Sequence, residues 1–174
     1  GWVFRRIDVR RHGTGRTGGT NVWRTAGLIP AALTMISDGL KGAAAIWLAQ
    51  ALHVNDWGLA LAGVLAVVGH NYSCFLGFRG GAGTSTSVGV AAALWSPALP
   101  ILVGLAVGMG LLVGHASVAS ISVALSLPIL FGVLKMPAVV VGFALPAMAL
   151  TLWALRPNIR RLRRMLGRKA QSVS

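Results

Sequence analysis

Apolar residues run through this chain in blocks of about hydrocarbon length, separated by short polar segments, and no strand-like alternation interrupts them. Residues 28–52, 58–76, 117–134 and 137–155 each come near the ~20 residues a helix needs to cross a bilayer core. Residues 84–114 are long for one tilted helix and short for two, with Ser96, Pro97 and Pro100 in their middle. Charge decides between the two. Arg5, Arg6, Arg10, Arg11, Arg16 and Arg24 precede the first apolar block, and seven cationic residues from Arg156 to Lys169 follow the last. Basic segments favour the cytoplasmic side, so both ends belong on one face only if 84–114 is a hairpin turning near 96–100. The pattern predicts an all-α integral membrane protein: a polytopic helical bundle of six spans in one membrane domain, 1–174. Its cytoplasmic parts are a motif loop, 1–27, the glycine-rich loop 79–83, His115 and a basic tail, 156–174, in which a short interfacial helix is expected; Asp56, Ser96 and Lys135 fall outside.

Composition narrows the chemistry. Only 11% of the residues are charged, against about 25% in soluble domains, and 55% are hydrophobic. The acids are Asp8, Asp38 and Asp56, too few for paired-carboxylate hydrolysis or a carboxylate metal site. Cys74 stands alone, and His12, His53, His70 and His115 lack ligand spacing, so no metal is expected. A net charge of +13 would suit nucleic acid, but with this interior the basic residues read as positive-inside signals and no nucleic-acid partner is expected. The 23 glycines favour close helix packing in lipid. The chain starts at Gly1 without a recognisable signal peptide, and an additional span is expected to precede it.

Two polar loops share one recipe. Residues 13–24 join glycines to Thr14, Thr17, Thr20, Asn21, Arg16 and Arg24 directly before a helix; residues 69–86 join His70 and Asn71 to Arg79, Gly80, Gly81, Gly83 and Thr84 before another. Bare glycine backbone lets N–H groups approach an anion, hydroxyls add donors, and the arginine fork matches phosphate oxygens. A helix start adds a favourable dipole. The plainer alternative is a pair of flexible loops whose arginines only set orientation. Neither loop has Walker A spacing. Asp38 and Lys41 share a helical face, either as functional intramembrane ions or as a mutually neutralising pair. Ser117 and Ser120 either act together or bond back to their own helix. His70 fits an acid, a base or a packing residue, and Asn158 follows Arg156 and Pro157 at the interface.

Taken in order, these segments resemble the membrane-embedded glycerol-3-phosphate acyltransferases that use acyl phosphate, the PlsY type, over nearly the whole chain. Asp8 through Arg24 is similar to the family's D-I-R-x-x-G-S-G-N-x-G-A-T-N-V-x-R without a gap. Asp38-Gly39-Leu40-Lys41-Gly42 resembles L-D-x-x-K-G, and Gly69 through Gly83 resembles G-H-x-x-x-x-F-L-x-F-K-G-G-K-G. Ala116 through Ser120 resembles V-S-x-x-S, and Leu155 through Leu162 resembles H-R-x-N-I-x-R-L. The chain departs from these patterns at Thr14 (serine), Arg16 (asparagine), Ala82 (lysine) and Leu155 (histidine). The H-x-x-x-x-D signature of thioester-dependent glycerolipid acyltransferases is absent: five residues after the four histidines stand Thr17, Gly58, Phe75 and Ser120.

The resemblance implies seven spans in the full family, six of them here, and acyl transfer from acyl phosphate to the 1-hydroxyl of sn-glycerol 3-phosphate in phospholipid biosynthesis. The products would be lysophosphatidate and phosphate, with no cofactor. It implies Arg24, Ser120 and Asn158 as catalytic residues. The phosphate ligands would be Thr14, Arg16, Thr20, Asn21, His70, Arg79, Gly80, Gly81, Gly83, Ser117 and Arg156. Partners would be the two phosphate substrates and membrane lipid, in a bacterial inner membrane with motif loops and tail cytoplasmic. Two other readings stay open: a non-catalytic relative that binds glycerol phosphate or phospholipid, for which Ala82 and Leu155 speak, and a small transporter, for which Asp38 and Lys41 speak and the lack of repeated halves speaks against.

Overall fold

The computed structural model describes the backbone of residues 8–78 and 80–171, and side chains among these as far as residue 160. The described residues are helical throughout, without strands: α1 (Gly19–Ala26), α2 (Leu28–Ala51), α3 (Asp56–Asn71), α4 (Thr84–Leu94), α5 (Ala98–Val113), α6 (Ala116–Val133) and α7 (Ala138–Gln171). Single 3-10 turns lie at Val9–Arg11 and Cys74–Leu76.

Three stretches combine the length and apolarity of a membrane span: Asp56–Leu76, Ala116–Val133 and Ala138–Arg160. The helix α2 has 24 residues, about 36 Å at 1.5 Å per residue, but carries Asp38 and Lys41 in its middle. The hairpin expected within 84–114 is present, turning at Trp95–Pro97 where Trp95 closes α4 and Pro97 caps α5. Its arms are short. With 11 residues, α4 extends about 16 Å, roughly half the hydrocarbon thickness, and its residues Thr86 through Ala91 are all buried. It is an enclosed helix packed mainly on α2. That packing depends on missing side chains: a Cβ at Gly89 would sit 1.9 Å from the Gly39 carbonyl oxygen, and one at Gly42 would sit 2.3 Å from that of Thr86. In lipid, where solvent gives helices little reason to associate, such close backbone approach is a main source of cohesion.

The core lies between α2 and α7, with Ile46, Val67, Val90, Leu102, Val123, Leu127, Phe131 and Phe143 fully enclosed. Trp95 meets Phe131 edge to face at 6.2 Å between centroids. Leu112 and Val133, each at least 75% exposed, face outward, as lipid-contacting residues of an integral membrane bundle do.

Two segments differ from expectation. The motif loop 1–27 contains α1, because Val22 and Ala26, four apart, bury against Ala31 while Trp23 and Arg24 face out. Gly27, at φ 102°, separates α1 from α2. In the tail, helix α7 continues without a break from the last apolar block to Gln171, through Pro146 and Pro157, so no separate interfacial helix forms.

Candidate functional site

The loop before α1 is built around Asn21. Its Nδ2 donates to the carbonyls of Val9, His12 and Arg16 at 2.9, 3.0 and 2.9 Å, and its Oδ1 accepts from Thr14 N at 2.9 Å. Asn21 is 2% exposed, so this amide holds the loop shut with its N–H donors spent. At the loop's outer end Arg10 forks onto Asp8, with Nε and Nη2 each 3.0 Å from a carboxylate oxygen. The guanidinium holds the Asp8 carboxyl below the usual carboxylate range.

The second loop lies on the end of α3. Gly80 N donates to the Asn71 carbonyl at 3.0 Å, and a Cβ at Gly81 would lie 2.1 Å from His70 Nε2. Beneath it, His70 Nδ1 is 3.5 Å from Asp38 Oδ1, which also accepts from Lys41 Nζ at 2.8 Å. Asp38 is buried, His70 is largely enclosed with its side chain 10% exposed, and Lys41 is exposed. The pair read from the sequence is therefore formed, and a histidine from another helix joins it. Gly83, left-handed at φ +84°, turns the chain into α4, where Thr84 Oγ1 is enclosed without a hydrogen-bond partner.

Arg16 crosses between these segments. Its Nη1 donates to the Gly81 carbonyl at 3.0 Å and its Nη2 to the Ala154 carbonyl of α7. Burial lowers its guanidinium pKa from the ordinary value, the mark of a partly desolvated cation. On the opposite side Asn158 Nδ2 donates to Ser117 Oγ at 3.2 Å, so this serine bonds across helices.

Together these segments enclose a cleft of about 680 Å³, within the usual range for small-molecule sites. Its polar end is lined by Thr14, Arg16, Thr20, Asn21, Arg24, His70, Gly83, Ser117, Ser120 and Asn158. Ten sequence-derived candidates from four segments thus meet in one place. Gly80 and Gly81 support the wall through backbone contacts without lining the cleft. Arg156 is outside it, its guanidinium 3.1 Å from the Trp153 ring centroid. Arg79 lies outside the described residues.

Sequence reasoning missed the cleft's apolar half: Leu28, Ala31 and Met35 of α2 face Ala106, Val107, Gly110 and Leu111 of α5. Their apolar character marks them as membrane residues like many others, and only tertiary packing singles them out. Asp38, Thr84 and Ser85 were likewise absent from the expected site although they line the cleft; a helix start after a glycine was the available signal for the last two.

The family model described as glycerol-3-phosphate acyltransferase matches residues 1–165. A glycerol-3-phosphate acyltransferase of Synechococcus sp. (strain JA-2-3B'a(2-13)) is 41% identical over 169 residues, covering 92% of this chain and 82% of that protein. Glycerol-3-phosphate acyltransferase 1 of Deinococcus radiodurans is 43% identical over 175 residues, covering 97% and 88%. Among solved structures, the glycerol 3-phosphate form of PlsY (YgiH), an integral membrane glycerol 3-phosphate acyltransferase, superposes with a TM-score of 0.84 at 32% identity, covering 93% of this chain and 80% of that one. The lysophosphatidic acid form of PlsY gives 0.81, at 32% identity with 90% and 79% covered.

Proposed function

From the premise that the chain belongs to the glycerol-3-phosphate acyltransferase family, we propose acyl phosphate as its donor and assign roles to the cleft residues. The protein is a multi-pass membrane acyltransferase of phospholipid synthesis, acting on glycerol 3-phosphate. The observation that carries the assignment is the cleft's division into two halves. A polar end bearing Arg16, Arg24, Ser117 and Asn158 suits phosphate and glycerol hydroxyls, and the channel between α2 and α5 suits an acyl chain. The molecules for which the two solved forms of PlsY are named, glycerol 3-phosphate and lysophosphatidic acid, have this chemistry.

In the proposed reaction the 1-hydroxyl of glycerol 3-phosphate attacks the acyl carbonyl. An ester C–O bond forms, the carbonyl–O bond of the mixed anhydride breaks, and inorganic phosphate leaves with its electron pair and takes up the hydroxyl proton. The donor is already activated, so the protein's contribution is positioning and charge stabilisation. Arg24, Arg16, Thr14, Thr20 and the Gly83–Thr84 helix start hold phosphate oxygens. Ser120 and the Ser117–Asn158 pair orient the glycerol moiety, and Asn21 shapes the first loop from behind. The Gly80–Gly81 backbone and His70, braced by Asp38, support the second phosphate wall, and Arg79, outside the described residues, is assigned to phosphate by its place in the sequence motif. Arg156, stacked on Trp153, reaches arriving headgroups from the rim. No cofactor takes part. The motif loops and the tail face the cytoplasm in a bacterial plasma membrane.

The test is turnover by the full chain in liposomes with labelled glycerol 3-phosphate and either palmitoyl phosphate or a palmitoyl thioester. Lysophosphatidate from the acyl phosphate alone is the expected result. Product only from the thioester would overturn the donor assignment, and no product from either, with glycerol phosphate still bound, would leave a binding protein. That last outcome has a specific basis, since Ala82 and Leu155 line the cleft without polar groups.

A further inference from the structure

Within residues 80–83 the structure leaves room for a side chain at one position only. A Cβ at Gly80 would be 1.8 Å from the His70 carbonyl oxygen, one at Gly81 2.1 Å from His70 Nε2, and Gly83 is left-handed at φ +84°. Ala82 alone carries a side chain there, and that methyl lines the cleft. Residues 80–83 therefore offer backbone but no cation. The facing wall at Leu155 is apolar as well.

Arg16 reaches this gap from a segment 65 residues upstream. Its two terminal nitrogens rest on the carbonyls of Gly81 and Ala154, the immediate neighbours of Ala82 and Leu155. Those contacts use two of five N–H donors, and three remain. Among the described residues no carboxylate lies within 4 Å of it: Asp8 is engaged by Arg10 and Arg11, and Asp38 by Lys41 and His70. A partly buried guanidinium without an anionic partner, fixed by two carbonyls and lining a cleft, is poised to receive an anion.

We propose that Arg16 is the fixed cation of the phosphate pocket between residues 80–83 and α7, delivered from the first loop to the place that Ala82 and Leu155 leave without charge. The proposal rests on the acyltransferase reading for its substrate. The shared ligand chemistry is a phosphate group, carried either by glycerol phosphate or by the acyl donor. Arg16 also ties the first loop to the second and to α7, so phosphate affinity and loop order are linked.

The test is a charge-relocation cycle on the full chain in detergent and liposomes: wild type, Arg16→Gln, Ala82→Lys and the double variant. KM is measured separately for glycerol 3-phosphate and for palmitoyl phosphate, and the melting midpoint with and without inorganic phosphate. Arg16→Gln is expected to raise one of the two KM values ten- to a hundredfold, as loss of a charge-assisted phosphate contact does, and to abolish the protection by phosphate. Which KM moves identifies the bound substrate. In the double variant, Lys at position 82 is expected to recover at least tenfold of a hundredfold loss. Unchanged KM values and unchanged phosphate protection in Arg16→Gln would overturn the proposal. So would impairment through kcat and melting midpoint alone without rescue by Ala82→Lys, the signature of a strut. If Arg16→Gln does not fold, Arg16→Lys decides: phosphate protection kept with altered loop stability supports it, and protection lost with the charge present overturns it. Inactive wild type that phosphate still protects, through Arg16, would refute the acyltransferase reading and leave this inference standing.

Discussion

Asn158, where the apolar part of the last helix meets its basic part, donates to Ser117 Oγ at 3.2 Å and thereby joins two walls of the cleft across 41 residues of sequence. A neutral hydrogen bond is worth about 1 kcal/mol net, so its loss alone has a modest effect on stability. At a substrate-facing position the effect falls on binding and orientation. Ser117→Ala and Asn158→Ala are each expected to lower kcat/KM for glycerol 3-phosphate about tenfold or more. The double variant is expected to lose much less than the product of the two, because both remove one shared interaction. Full additivity in the double-mutant cycle would show that the two side chains act separately.

The contact between Gly81 and His70 leads to a second prediction. A methyl at position 81 would fall 2.1 Å from His70 Nε2, and the imidazole is wedged against Asp38 behind it. Gly81→Ala is expected to destabilise the protein by about 1–3 kcal/mol, the usual cost of overpacking, and to depress activity further by displacing the glycine loop. Pairing it with His70→Ala vacates the space. Thermal melting in detergent checks this: the double variant should melt above Gly81→Ala alone, and a lower melting point would mean the loop does not rest on His70.

The apolar channel makes a prediction about donor length. Gly110 lines the cleft, and a Cβ there meets nothing within 4 Å, so a larger side chain enters the channel without a clash in the core. Gly110→Phe is expected to leave the fold intact and shift preference toward shorter acyl phosphates. A series of donors from eight to eighteen carbons measures this. An unchanged profile would place the acyl chain elsewhere.

Much of this arrangement was legible before the fold, for reasons that differ by element. The hairpin at Trp95–Pro97 followed from charge symmetry between Arg24 and Arg156, a constraint that acts on the whole chain. The two glycine loops were legible because they combine residue types with one shared chemistry. The helix α1 was not, since its eight residues include a glycine and two threonines and it is stabilised by burial against Ala31, a tertiary effect. The tail read as a separate interfacial helix, yet α7 passes into it through Pro157. Asp38 and His70 were each singled out, but their contact depends on how α2 and α3 pack, as does the landing of Arg16 on Gly81 and Ala154.

Asp8 supplies a pH prediction. Its carboxyl titrates below the ordinary value because Arg10 hydrogen-bonds to the charged form. A depressed folded pKa contributes stability that is present above the unfolded value near 3.8 and is lost as pH falls through the folded one. Asp8→Asn is therefore expected to melt slightly below wild type at pH 7, with the gap closing as pH falls below the unfolded value and through the folded one. The pair is exposed, so the gap is small and shrinks in high salt. A difference that persists at the acid end would mean Asp8 acts by its shape in capping the turn at Val9–Arg11.

Asp38 carries the heaviest structural consequence, because its buried oxygen serves two partners of unequal exposure. Lys41, with its side chain 65% exposed, reaches it from the surface of the bundle, while His70, 10% exposed, has its Nδ1 beside it and its Nε2 under the glycine loop. Removing Lys41 leaves a carboxylate still faced by His70, and Lys41→Met is expected to change activity less than threefold because the imidazole under the glycine loop keeps its contact. Asp38→Asn keeps the shape but removes the charge that both partners meet. The imidazole then loses the negative charge beside its Nδ1, and the loop resting on it loses part of its support. Asp38→Asn is therefore expected to raise KM for a phosphate substrate and lower kcat together, by at least tenfold in kcat/KM. Asp38→Ala is expected in addition to lower the melting temperature measurably, as cavities and unpaired buried groups do. Kinetics and melting on the three variants separate the contributions, and Lys41→Met matching Asp38→Asn would make the lysine, not the histidine, the partner that matters.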